Sequence, residues 1–146
     1  MTQPASILVK KLKAEARTPV RATEAATGFD LHACLDSDEL TIGPEPVKVP
    51  TGVAIETPIG LDVQIRGRSG LSSKGVMVVL GTIDADYRGE LLVSMYALPY
   101  REPHIVHNGD RIAQLVISRN ADVVLEEAEE LTATARNTGG HGSTGR

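Results

Sequence analysis

Five short segments combine residue types that an ordinary strand or turn does not need together. The first, Thr27-Gly28-Phe29-Asp30-Leu31-His32-Ala33, sets a lone carboxylate two positions after a glycine. A strand starting there aims Asp30 outward, although the pattern also fits a strand start with a surface aspartate. The second, Gly67-Arg68-Ser69-Gly70-Leu71, places an arginine and a hydroxyl between two glycines. Backbone N–H groups at such a turn, leading into a helical turn, form a nest for phosphate, to which Arg68 adds a bidentate donor and Ser69 a hydroxyl. The spacing is not that of a P-loop, and in isolation the segment reads equally well as an ordinary turn with an exposed arginine.

The third segment, residues 81–90, carries Gly81, Thr82, Ile83, Asp84, Asp86, Tyr87 and Gly89. It lies between two apolar runs, 76–80 and 91–98, so the pattern predicts a β-hairpin. Its tip is either a binding loop built on two carboxylates and an aromatic ring or a plain polar turn. The fourth, Gly109-Asp110-Arg111-Ile112-Ala113-Gln114-Leu115, is a turn feeding a strand. Alternation there puts Arg111, Ala113 and Leu115 on one face and Ile112 and Gln114 on the other, so Gln114 needs a hydrogen-bond partner on a mostly buried face. The fifth, residues 136–145, holds Arg136, His141, Gly142, Ser143 and Thr144 among glycines. It cannot pack a core. It reads either as a disordered tail or as an arm that closes over polyphosphate with backbone and hydroxyl donors.

The elements that must position these residues are strands. Leu61, Val63 and Ile65 alternate with polar residues, Val53 and Ile55 flank Ala54, and 76–80, 91–98 and 112–117 are rich in β-branched residues. Gly-Pro, Pro-Thr-Gly and Asn-Gly punctuation separates them. Many short strands between frequent turns predict an all-β sandwich or barrel. The helical signal is slight: residues 69–74 suit one turn capped by Ser69, and 123–125 suit a last strand. One β domain to residue 131 and a flexible glycine-rich arm over 132–146 follow from this punctuation.

Composition narrows the classes. With 146 residues the chain has the size of one domain. Three tyrosines, one phenylalanine and no tryptophan leave Val, Ile, Leu and Ala to build the core. A net charge of -4 with no extended basic run argues against nucleic acid, while local arginines still suit a small anionic ligand. No apolar run approaches the ~20 residues of a membrane span. A single cysteine, Cys34, excludes an internal disulfide and fits a reducing compartment, so a soluble, cytoplasmic protein is expected, with Cys34 as a small buried hydrophobe. His32, His104 and His107 have no zinc-ligand spacing.

Taken in order, the five segments resemble the five motifs of the trimeric dUTP pyrophosphatase (dUTPase) family, over nearly the whole chain from about residue 7. Each motif alone is moderately specific; their ordered occurrence at family spacing is highly so. The resemblance implies a jelly-roll subunit in a homotrimer, with three active sites at subunit interfaces and the arm of one chain covering a site formed by the other two. It implies hydrolysis of dUTP to dUMP and pyrophosphate with Mg²⁺, which keeps dUTP low and supplies dUMP for thymidylate synthesis. By position, Asp84 matches the carboxylate that activates the attacking water, and Tyr87 the ring that stacks on deoxyribose and rejects a 2′-hydroxyl. The backbone of Gly81, Thr82 and Ile83 up to Asp84 matches the reader of the uracil edge. Arg68, Ser69 with Gly70, and Gln114 match phosphate ligands. Asp30 matches a carboxylate acting on the metal through its water shell, the metal being held mainly by the phosphates. Arg136, Ser143 and Thr144 match arm residues that hold the γ-phosphate, next to His141 and Gly142.

Two positions depart from the family pattern. Val78 stands where many members carry an asparagine, which removes a side-chain amide from the base pocket, and His141 stands where the arm usually carries phenylalanine. A dCTP deaminase of the same superfamily and a catalytically silent nucleotide sensor are the competing readings. The complete third motif and the glycine-rich arm stand against the first, and the unreplaced catalytic positions against the second. An imidazole stacks with less apolar area than a phenyl ring and takes up a proton. The KM for dUTP of a His141→Phe variant is therefore expected to respond less to acidification below neutrality than that of the wild type; superimposable profiles would reject a stacking role for His141.

Overall fold

The computed structural model describes residues 3–142 and 145. It contains ten strands and one helical turn among the described residues: β1 (Leu8–Lys11), β2 (Phe29–His32), β3 (Glu39–Ile42), β4 (Val47–Glu56), β5 (Leu61–Arg66), α1 (Ser69–Ser72), β6 (Val76–Val78), β7 (Gly81–Ile83), β8 (Glu90–Ala97), β9 (His104–His107) and β10 (Arg111–Arg119). One sheet has the order β1-β4-β8-β6, a second β2-β10-β5-β7, and β3 pairs with β9 alone. The strand pairings are antiparallel. This is the all-β sandwich predicted by the punctuation and the jelly roll implied by the resemblance.

The core is aliphatic, as the shortage of aromatics requires. Its largest fully buried side chains include Leu31, Ile42, Ile65, Leu91, Met95 and Ile112. Strand β8 shows the period of two most clearly: Leu91, Val93, Met95 and Ala97 point inward, while Leu92 remains exposed. Cys34 is buried and free, and burial pushes its thiol up from the ordinary range.

Four local expectations are corrected. The segment 81–90 is not a hairpin. Strand β7 pairs with β5 in one sheet and β8 with β4 and β6 in the other, so the loop from Asp84 to Gly89 crosses between layers. Apolar runs of either kind bound both sorts of connection, and only sheet membership separates them. The run from 76 ends as a strand at Val78, leaving Val79 and Leu80 exposed as the link between the sheets. The N-cap of α1 is Arg68, in extended conformation and with no side-chain cap bond, so Ser69 lies inside the turn instead of capping it. No strand forms over 123–125. Val123, Val124 and Leu125 are all exposed, because nothing within the described chain pairs with them.

The amide of Asn120 donates to the carbonyl of Gly60, and every residue from 121 to 138 is exposed. No helix among the described residues is long and apolar enough to cross a membrane.

Strand β4 bends at a register shift between Pro50 and Ala54, where Gly52 has φ of 68°. A Cβ there would lie 2.8 Å from the Ala16 methyl and 2.9 Å from Cys34 Sγ. Gly52→Ala is expected to lower unfolding free energy by about 2–4 kcal/mol through left-handed strain plus overpacking. Gly43, with ordinary φ and no atom within 4 Å of its Cβ position, should tolerate alanine to within about 0.5 kcal/mol. Urea unfolding of the two variants side by side tests the contrast.

Candidate active site

Strand β10 is paired on both edges, and this brings three of the five segments together. Gln114 lies opposite Asp30 of β2 on one side and opposite Arg66 of β5 on the other. Its Nε2 donates to the Gly67 carbonyl at 2.9 Å, which gives the half-buried amide the partner it needs. Its side chain lies so close to Gly28 that a Cβ there would be 2.9 Å from Gln114 Cβ and 3.0 Å from Cδ. The simple alternation expected for β10 is interrupted by a bulge between Arg111 and Ala113, so Ile112 and Ala113 are both buried.

The bulge also turns Arg111 toward Asp30, at 3.5 Å, with the Asp30 side chain only 15% exposed. Arg68, at the end of β5, donates from Nη1 to the Arg111 carbonyl at 3.1 Å. Ser69 and Gly70 follow, exposed, in the first turn of α1. Asp30 and His32 share a face of β2, since Leu31 between them points into the core. The result is a cluster of Asp30, His32, Arg68, Arg111 and Gln114 at one end of the sheet.

His32 was not singled out by its sequence context, yet it is among the most constrained groups here. It is buried, and Nδ1 has no hydrogen-bond partner among the described residues. Burial, then the guanidinium of Arg17, hold its imidazole below the usual histidine range, with Arg111 and Arg68 adding to the effect and Asp30 opposing it. Arg111 was likewise visible only as a strand residue. Its pairing with Asp30 depends on the bulge, which no residue type announces.

The third segment lies on the same sheet but at the other end. Strand β7 runs beside β5 with Gly81 opposite Ile65, Thr82 opposite Gln64 and Ile83 opposite Val63. Thr82 Oγ1 donates to Gln64 Oε1 at 3.1 Å. Asp84 follows at the far end of this pair, exposed and with no ion-pair partner among the described residues. Its carbonyl accepts from the Tyr87 amide, closing a turn. Arg88 braces the loop, donating to the Ala85 and Tyr87 carbonyls and to Glu56 of β4.

Strand geometry therefore separates Asp84 from Gln114 by about 13 Å along the strands and about 10 Å across them. One chain assembles the phosphate-like cluster and the Asp84 loop, but not against each other. The arm residues join neither group. Beyond Asn120 the hydrogen bonds among the described residues are local, such as Arg136 Nε to the Gly139 carbonyl at 2.9 Å. His141 and Gly142 are exposed, and Ser143 and Thr144 lie outside the described residues. No group of three or more His, Cys, Asp or Glu among the described residues could cage a metal ion. Asp30, the carboxylate of the cluster, is paired with Arg111.

Fold and cluster together define a β-sandwich with cationic and amide donors gathered at one end of a sheet. The dUTPase family model matches residues 14–145. The chain is 50% identical over 143 residues to the deoxyuridine 5'-triphosphate nucleotidohydrolase of Hydrogenobaculum sp. (strain Y04AAS1), covering 95% of this chain and 97% of that one. It is 44% identical over 139 residues to the enzyme of that name from Chlamydia trachomatis serovar L2, covering 92% and 95%. Among solved structures, the Staphylococcus bacteriophage 80alpha dUTPase with dUPNHPP superposes with a TM-score of 0.80 at 28% identity, covering 97% of this chain and 99% of that one. A dUTPase from phage phi11 of S. aureus, with a structural Mg(II) ion, gives 0.76 at 26% identity, covering 86% and 97%. The chain belongs to the dUTPase family, and its enzyme class is dUTP diphosphatase.

The constraint on His32 has a measurable consequence. The unfolded chain binds a proton at His32 near pH 6.5, whereas the fold holds the ring neutral to lower pH. Below about 6.5 the unfolded state binds more protons, so this contribution to stability is complete above that pH and is lost as pH falls toward the lowered folded value. In EDTA, wild type should lose more stability than His32→Gln between about pH 7 and pH 5. Parallel pH–stability curves would contradict the assigned direction.

Proposed function

We propose that the chain hydrolyses dUTP to dUMP and pyrophosphate at sites completed between subunits of a homotrimer. The observation that carries the intersubunit part is the separation of Asp84 from the cluster around Gln114 within one chain. A general base works within hydrogen-bond reach of the proton it takes. A chain that builds both halves of a site far apart needs a second copy to bring them together. The glycine-rich arm, residues 132–146 in this reading, is the further piece, closing over a neighbouring site.

In the mechanism proposed, Arg68, Ser69, Gly70 and Gln114 hold the phosphates, using charge-assisted and backbone donors at the turn into α1. Asp84 of another subunit accepts a proton from a water in line with the α-phosphorus. The water oxygen bonds to phosphorus as the bond to the α,β-bridging oxygen breaks, and pyrophosphate departs. Gly81, Thr82 and Ile83 present backbone groups to the uracil edge, while Tyr87 lies against the deoxyribose. Arg136, His141, Gly142, Ser143 and Thr144 complete the enclosure. Mg²⁺ carried by the triphosphate would offset charge on its oxygens, with Asp30 as the carboxylate beyond its water shell.

The reaction keeps dUTP low and yields the dUMP from which thymidylate is made. A cytoplasmic setting suits a chain whose one cysteine is buried and unpaired.

Pyrophosphate release from dUTP, dTTP, dCTP and UTP with Mg²⁺ tests the reading. Only dUTP should be turned over well, and ammonia from dCTP would instead indicate a deaminase. Asp84→Asn should lower kcat by at least roughly a hundredfold while nucleotide binding persists. Undiminished turnover would remove Asp84 from the proposed role.

A further inference from the structure

The loop from Asp84 to Gly89 ends in a contact that sequence periodicity does not reveal. The Tyr87 ring is folded back over its own loop, and its hydroxyl donates to the Glu90 carbonyl at 2.9 Å. The ring occupies the space in which a side chain at position 89 would stand. A Cβ on Gly89 would lie 2.6 Å from Tyr87 Cζ and 2.9 Å from Cε2, and nearer still to the hydroxyl. Real Cβ atoms do not approach other atoms so closely, so a side chain at 89 and the ring in this position exclude one another.

Backbone conformation does not explain the glycine. Gly52, Gly60, Gly75 and Gly109 have positive φ, whereas Gly89 does not. An L-residue fits the backbone at position 89 without left-handed strain. What glycine supplies there is room for the ring.

The seat is also anchored. Glu90 begins β8, pairs with Ala54 of β4, and accepts from the Gly52 amide through Oε1 at 3.2 Å. The carbonyl that receives the Tyr87 hydroxyl is therefore tied to the register shift of β4. On the other side, Arg88 joins the Tyr87 and Ala85 carbonyls to Glu56. The loop that carries the ring is thus braced from both sides.

We propose that Gly89 is a specificity-determining positioning residue: by leaving its Cβ space to the Tyr87 ring, it sets the wall that separates deoxyribose from ribose. This inference rests on the reading that Tyr87 faces the sugar. A side chain at 89 would lift the ring off its seat and cost it the bond to the Glu90 carbonyl. The ring would then no longer stand at one fixed distance from C2′, and discrimination against a 2′-hydroxyl, which depends on that distance, would fall. Turnover of dUTP would decline as the stack loosens, while UTP would lose less or gain.

The test is a cycle of Gly89→Ala, Tyr87→Ala and the double variant in the full chain with Mg²⁺. The readouts are kcat/KM for dUTP and UTP and the melting temperature. Gly89→Ala should reduce the dUTP-over-UTP ratio by roughly tenfold, and the double variant should discriminate no worse than Tyr87→Ala alone. A relaxed Tyr87→Ala beside an unchanged Gly89→Ala would overturn the seat while leaving Tyr87 against the sugar. An unchanged ratio in Tyr87→Ala would overturn the assignment of the ring itself. If Gly89→Ala does not fold, the double variant should recover the melting temperature of Tyr87→Ala, because the colliding ring is gone. A double variant as unstable as Gly89→Ala would show that the glycine serves the backbone, and the proposal would fail.

Discussion

The amide of Gln114 holds its place between two strands because β10 is the one strand in its sheet flanked on both edges at that level, by β2 and by β5. Its N–H reaches the Gly67 carbonyl while its stem rests against Gly28. Three chain segments far apart in sequence converge on that one side chain. Removing the amide would leave the Gly67 carbonyl without this donor and open space beside Gly28, at the point where Arg68 and Ser69 must leave the sheet. Such a half-buried polar contact is costly to break to the extent that its partners do not regain water.

Around this contact the charge distribution is uneven. The chain is acidic overall, at -4, yet Arg17, Arg68 and Arg111 all act on buried His32, with Asp30 as the opposing carboxylate. Asp30 is already engaged with Arg111, so the cluster keeps positive charge to offer. A local surplus of this kind favours an anionic ligand. Burial first, and this positive charge second, hold the His32 imidazole below the usual histidine range.

The same sheet that gathers these groups keeps Asp84 away from them. Its loop spans the two layers of the sandwich, and Arg88 with Glu56 braces it from the second sheet. The braced loop and the cluster therefore stand apart within one chain.

Much of this was legible in the residues. Period-two alternation and glycine–proline punctuation announce the β-sandwich, because a half-buried strand must alternate and a turn must use residues that tolerate it. Arginine, hydroxyl and glycine together point to phosphate binding, and the order of the five segments points to nucleotide chemistry through its resemblance to the dUTPase motifs. The relation between segments was decided only in three dimensions. Whether 81–90 is a hairpin depends on which sheet each flanking strand joins, and both choices satisfy the same local pattern. The bulge that turns Arg111 to Asp30, the exposed fate of residues 123–125 and the ring seated on Gly89 arise from long-range pairing. Local sequence sets what a residue can do, and pairing across the sheets sets what it meets.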